Sequence, residues 1–206
     1  MTRGRRCGGP GVASGAVSRA KSAGGTPATA VLVRAGVAFT VHPYAHDPGT
    51  TAYGEEAVAA LGSDPRRVFK TLVVELQGGT AGGEPPNWQQ TGSARPAATR
   101  ARGGGIELVV AVVPVAQQLD LKALAVATGA KKAGLADPAV AARSSGYVVG
   151  GISPLGQRTP LRTVVDSSAQ QFDTVLVSAG KRGLQVELSP ADLVAVTSAL
   201  VAPVAG

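Results

Sequence analysis

The sequence predicts an α/β-type domain, on three observations. Three Ser/Thr/Asp-Pro pairs open helical patterns, about six β-branched runs are interspersed with them, and aromatics make up only 3% of the 206 residues. A core must therefore be built from small aliphatic side chains rather than stacked rings. At Thr26-Pro27, Asp137-Pro138 and Ser189-Pro190 a capping side chain precedes a proline suited to the first helical position, so each pair satisfies one orphan N–H and omits another. After Thr26, residues Ala28, Val31, Leu32 and Ala35 share one helical face, and Gly36 ends the run. Alternating or continuous β-branched stretches predict strands at 37–42, 69–76, 107–113, 162–166, 174–178 and 184–188. Helices are also expected near 54–61 and after Asp120, with Leu121, Leu124 and Ala125 inward. After Ser189 the residues Leu193, Val196 and Leu200 repeat the helical spacing. Periodicity leaves the strand order open.

Two segments stand apart. Residues 1–25 have a Gly/Ser/Arg composition that buries too little apolar area to offset ordering entropy, so a disordered basic tail is expected there. Residues 77–105 have the same character between two apolar runs and read as an insertion in a hairpin loop, where added length costs little. The domain proper is expected over 26–206. The net charge of +7 belongs to these appendages: residues 1–26 hold five bases and no acid, residues 77–105 hold three bases and one acid, and the remainder holds 12 of each. Scarce aromatics argue against a stacked-base reader of single strands. No long apolar span or apolar leader core is present, so no membrane partner is expected and the chain reads as soluble and intracellular. The lone Cys7 excludes an internal disulfide and a multi-cysteine zinc site, and only His42 and His46 accompany it, so no metal is expected.

The most informative position is Lys70. In VFKTLVVEL it shares strand parity with Leu72, Val74 and Leu76, while Glu75 marks the opposite face as wet. An ammonium on a core face must find an anion, reach a cleft or snorkel along the strand end. The segment GYVVGGISPLGQ, 146–157, interrupts a strand-like run with four glycines and Pro154, which lets backbone approach a ligand and offers N–H groups to an oxyanion. It lacks the endings of nucleotide-binding loops, and a plain turn explains it equally well. Lys181 and Arg182 sit in a Gly-flanked hairpin turn, either simply solvated or touching phosphate. His42 and His46 are four apart, but Pro43 and the Asp47-Pro48-Gly49 turn argue against a helix and hence against a metal pair. No serine elbow is present and Cys7 lies in the tail, so a reaction here must borrow its nucleophile.

The blocks HPYAHDPGTTAYGEEA, VFKTLVV, VVPVAQQLDLKALA, GAKKAGLADPAVAARSSGYVVGGISPLGQ and SAGKRGLQVELSPADL, in that order, resemble the YbaK/EbsC family of bacterial Cys-tRNA(Pro) deacylases. The resemblance runs from about Thr26 to about Ala199. It implies the fold of the editing insertion of bacterial prolyl-tRNA synthetases: a mixed, partly barrel-like sheet of about six or seven strands with helices around it. It implies trans-editing of mischarged Cys-tRNA(Pro) in the cytoplasm, without a cofactor, beside prolyl-tRNA synthetase, with the substrate's own thiol as nucleophile. Lys70 matches the family's essential lysine, and Gly150, Gly151, Ile152, Ser153 and Pro154 match its Gly-x-x-x-Pro loop. Gly150 and Gly151 are the candidate oxyanion donors. Tyr44 matches a tyrosine near the pocket and Ser178 the serine before the turn of Lys181 and Arg182, and these join the loop as candidate substrate contacts. Gln185 stands where relatives often have an acid. The competing expectations are a deacylase for Ala- or Ser-tRNA, and a catalytically silent adaptor for tRNA or synthetase.

Overall fold

The computed structural model describes residues 25–78 and 105–206. All but Gly25 of the tail expected over 1–25, Cys7 within it and nearly all of the insertion expected over 77–105 lie outside the described residues. Element order is α1 (Pro27–Ala35), β1 (Thr40–Pro43), α2 (Tyr53–Leu61), β2 (Val68–Gln77), β3 (Glu107–Pro114), α3 (Leu121–Thr128), β4 (Lys132–Leu135) and α4 (Pro138–Ser145). There follow β5 (Arg162–Asp166), a short 3-10 helix (Ser167–Gln171), β6 (Val175–Lys181), β7 (Leu184–Leu188), α5 (Pro190–Thr197) and β8 (Leu200–Ala202). All three X-Pro pairs open helices as expected. Thr26 accepts from Thr29 N–H, Asp137 from Ala139 and Val140 N–H, and Ser189 from Asp192 N–H. None of the described helices is long and apolar enough to cross a membrane.

All eight strands form one mixed sheet in the order β1-β7-β6-β2-β3-β5-β8, with β4 added to β2. The path ends at β1 and β8, so the sheet does not close into a complete barrel. Strand β2 is its hub. One edge pairs with β3 from Phe69↔Pro114 to Leu76↔Glu107, the hairpin expected to flank the insertion. The other edge is shared: β6 pairs in parallel at Val68 and Phe69, and β4 pairs antiparallel at 74–77. Between those pairings β2 is open at 70–72, where Lys70 stands.

Both faces of the sheet are covered. On one, Phe69, Val110, Val112, Val165, Val177 and Val186 pack with Ala28 and Leu32 of α1 and Leu193 of α5. On the other, Val74, Val109, Ala111, Val113 and Val164 pack with Leu124 of α3, while Val68 and Leu176 meet Val58 and Leu61 of α2. The expectation from Glu75 is thereby corrected. The face opposite Lys70 is not wet, because Phe69 and Val73 are buried there, and Glu75 lies near the strand end, between β3 and short β4. Two strands went unforeseen, since Lys132–Leu135 has no β-branched residue and Leu200–Ala202 is only three residues long. Leu200 also leaves the helical pattern assigned to it: α5 stops at Thr197, and Ser198 turns the chain with φ of 49° into β8.

Candidate active site

Strand register assembles the first half of the site. His42 pairs with Gln185, and Gln185 with Ser178, across β1, β7 and β6. Lys70 and Ser178 each follow the last paired positions of the neighbouring parallel strands β2 and β6, and Lys70 in turn pairs with Val113. Because opposed residues point to the same face, Gln185, Ser178 and Lys70 form a polar track on the face covered by α2 and α3. Lys70 is half-buried as a residue, and its ammonium donates to the carbonyl of exposed Gln117 at 2.6 Å. Gln117 lies in the turn after β3, and its neighbour Gln118 exchanges two backbone hydrogen bonds with Gly206. Tyr44, just beyond β1, donates its N–H to Gly183 O. Burial pushes its phenol up, partly offset by the Gly183 backbone and the Gln185 side chain. Ser178 accepts from Gly180 N–H, and Gln185 is buried with its Oε1 unpartnered among the described residues.

The glycine segment supplies the second half. From Gly151 to Leu155 it is buried. Tyr147 Oη donates to Leu155 O at 2.7 Å and Gly156 O at 3.1 Å, a setting whose burial pushes this phenol up to about 12. Gln157 Nε2 donates to Ser153 O, and Ser153 Oγ accepts from Leu155 N–H. The Gly151 N–H donates to Val148 O at 2.9 Å, which removes it as a free donor. By contrast, no acceptor among the described residues takes the N–H of Gly150, Ile152 or Ser153. Buried N–H groups are rarely left so. Gly150 has φ of +83°, and a Cβ there would lie 2.6 Å from the Tyr53 ring; a Cβ on Gly151 would lie 3.0 Å from the Arg182 backbone. The loop therefore sits against the start of α2 and the β6–β7 turn, and the same hairpin carries Ser178 and Gln185. Among the described residues no hydrogen bond joins Lys70 to residues 150–154 directly.

Of the two turn cations, Lys181 is exposed. Arg182 is committed within the protein: its Nε donates to Val149 O at 2.9 Å, and its guanidinium lies 4.9 Å from the Tyr53 ring centroid. Tyr53 and Gln117 lie in blocks that carry the family resemblance but are not singled out there, because their partners Arg182, Gly150 and Lys70 lie far along the chain. Behind Tyr53 stands His46, its ring 6.0 Å away and its Nδ1 2.9 Å from Glu56. The Glu56 carboxyl is held below its usual range chiefly by the Asp47 N–H, against its desolvation and with help from His46. Among the described residues no group of three or more His, Cys, Asp or Glu could hold a metal. A hollow of about 570 Å³ lies elsewhere, between the 3-10 helix and α5. Its lining includes Phe172, Asp173, Pro190 and Val194 but neither a cation nor a glycine amide, so it lacks the chemistry assembled above.

The mixed sheet with its surrounding helices defines an α/β domain, and solved structures share its fold. A crystal structure of "hypothetical protein APE2540" aligns over 88% of this chain and 100% of its own, with TM-score 0.66 and 23% identity. One described as "a putative trans-editing enzyme for prolyl tRNA synthetase" aligns over 87% and 95%, with TM-score 0.64 and 22% identity. The chain belongs to the aminoacyl-tRNA editing domain family, whose model matches residues 92–196. It is also 36% identical over 144 residues to "Putative Cys-tRNA(Pro)/Cys-tRNA(Cys) deacylase EbsC" of Enterococcus faecalis, covering 70% of this chain and 71% of that protein. The family match contains the glycine segment, Ser178 and Gln185, and stops short of Tyr44 and Lys70.

Proposed function

We propose that the protein is a trans-acting aminoacyl-tRNA deacylase that removes cysteine from mischarged Cys-tRNA(Pro). The observation that carries this is the 150–153 segment, half-buried at Gly150 and buried from Gly151 on, with open N–H groups at Gly150, Ile152 and Ser153 among the described residues. Membership of the editing family supports it, as does the name of the Enterococcus relative. An aminoacyl ester is already activated, so the protein chiefly positions it and stabilises charge on its carbonyl oxygen. The open amides hold that oxygen. Lys70 contacts the terminal adenosine's phosphate or polarises the carbonyl, sharing its ammonium with Gln117 O. Tyr44 and Ser178 line the aminoacyl pocket.

The nucleophile is the substrate's thiolate. Its sulfur bonds to the carbonyl carbon, the ester C–O bond breaks, and the departing ribose oxygen takes up the proton that the thiol gave up. A cysteine thiolactone and deacylated tRNA leave, and water opens the thiolactone afterwards. The partner is prolyl-tRNA synthetase in the cytoplasm. Balanced charge outside the tail and insertion leaves little phosphate-binding field, so the synthetase supplies most of the tRNA affinity.

Single-turnover deacylation of Cys-, Ala- and Ser-tRNA(Pro) tests this. Cys-tRNA(Pro) is expected to react at least about 100-fold faster than Ala-tRNA(Pro), the scale of a positioned nucleophile. Equal rates would replace the substrate thiol with water. Binding without turnover of any of the three would make the protein an adaptor.

A further inference from the structure

We propose that Arg182 and Tyr53 are positioning residues, a clamp that fixes the 148–153 segment in its oxyanion-binding shape rather than a contact for tRNA. This rests on the deacylase function proposed above. Ile152 and Ser153 are anchored in the core, whereas the bend before them, Gly150-Gly151, has no side chain to hold it in place. Gly150 has none, takes a left-handed φ of +83°, and lies so close to Tyr53 that the ring forms its floor. The preceding carbonyl, Val149 O, accepts from Arg182 Nε at 2.9 Å, and Val148 O is taken by the Gly151 N–H. One guanidinium thus holds the segment's entry through Val149 and, 4.9 Å from its centroid, the face of the ring beneath it. Arginine suits both contacts together, because a planar donor fork can stack on a ring while its edge donates.

The ring is itself fixed from behind. His46 stands 6.0 Å from it and is tied through Nδ1 to Glu56, one turn further along α2. Both of the segment's neighbours therefore belong to rigid elements, Tyr53 to the start of α2 and Arg182 to the β6–β7 turn. Open amides catalyse only when aimed, and an error of about 1 Å costs on the order of 100-fold.

Two readouts test the clamp in the full chain: hydrogen exchange of the 148–153 amides, and single-turnover kinetics on Cys-tRNA(Pro). R182A and Y53L are expected to speed exchange at these amides at least tenfold. Both should lower the rate at saturation 10- to 100-fold, with KM within about twofold of the unaltered protein. R182K is expected to behave as R182A, because its charge survives but the fork does not. Y53F, which keeps the ring face, is expected to restore both readouts lost in Y53L. A phosphate contact would give the opposite pattern: KM raised in R182A, largely rescued in R182K, with exchange unchanged. That result overturns the clamp, as does wild-type exchange in both R182A and Y53L. Should Y53L fail to fold, R182A, R182K and Y53F still decide the matter. Absence of deacylation by the unaltered protein on every mischarged tRNA would dispose of the deacylase function, while the exchange measurement still reads the clamp.

Discussion

Lys70 occupies the place its strand parity demands, on the same face as Leu72, Val74 and Leu76, and it escapes unpaired burial through one backbone carbonyl. That acceptor is 47 positions along the chain, so no local pattern could reveal it. Strand parity singles out the lysine and glycine content the 146–157 segment, and the family resemblance gives both a role. The state of the amides was legible only in part: Gly150 is open, whereas the Gly151 N–H is consumed by Val148 O, a hydrogen bond set by the turn's curvature. In the sequence Arg182 reads as a solvated or phosphate-touching turn cation and a candidate substrate contact; its two protein partners are not legible there because they come from other elements. Lys70→Ala should leave the fold standing, since the side chain is half-buried and makes one hydrogen bond. Its single-turnover rate should fall at least about 100-fold, the usual cost of losing an electrostatic stabiliser. A thermal melt within a few degrees of the unaltered protein, measured beside the rate, separates that loss from unfolding.

At the scale of elements, what was legible is what is encoded locally. Thr26, Asp120, Asp137 and Ser189 each cap a helix with their own side chain, and glycine closes α1 to α4 in a left-handed turn. Short β4 and β8 carry no such signal and exist because neighbouring strands offer them an edge, β2 for one and β5 for the other. The β2–β3 hairpin keeps its register down to Leu76↔Glu107, with partners complete on both sides of the insertion. Replacing residues 79–104 with a short Gly-containing turn should therefore preserve the fold. It should stabilise it by about 2 kcal/mol, the closure entropy of a loop shortened several-fold. Urea unfolding of the two versions checks this, and a lower midpoint in the shortened one would mean that the insertion packs on the domain.

For the molecule as a whole, buried Asp166 ties distant parts of the chain together. It ends β5, caps the 3-10 helix through Ser168 N–H, and accepts from Val204 N–H at 2.8 Å and Ala205 N–H at 2.9 Å. Burial alone would raise its pKa, but Ser168, Val204 and Ala205 more than offset that and hold it below the usual aspartate value. A carboxyl depressed in the folded state stabilises at pH above its unfolded pKa of about 3.9, and that contribution disappears as pH falls through the folded value. Stability should accordingly decline on the acid side below about pH 4. Asp166→Asn should cost about 2 kcal/mol at neutral pH and flatten that acid limb, as urea titrations between pH 7 and 3 would show.

The two backbone hydrogen bonds between Gln118 and Gly206 have a practical corollary. They brace the turn that presents Gln117 O to the lysine, so residues 204–206, though remote in sequence, are part of that cation's mooring. Deleting residues 204–206 would remove that mooring together with buried Val204 and the two N–H donors to Asp166, so reactive geometry and stability would fall together.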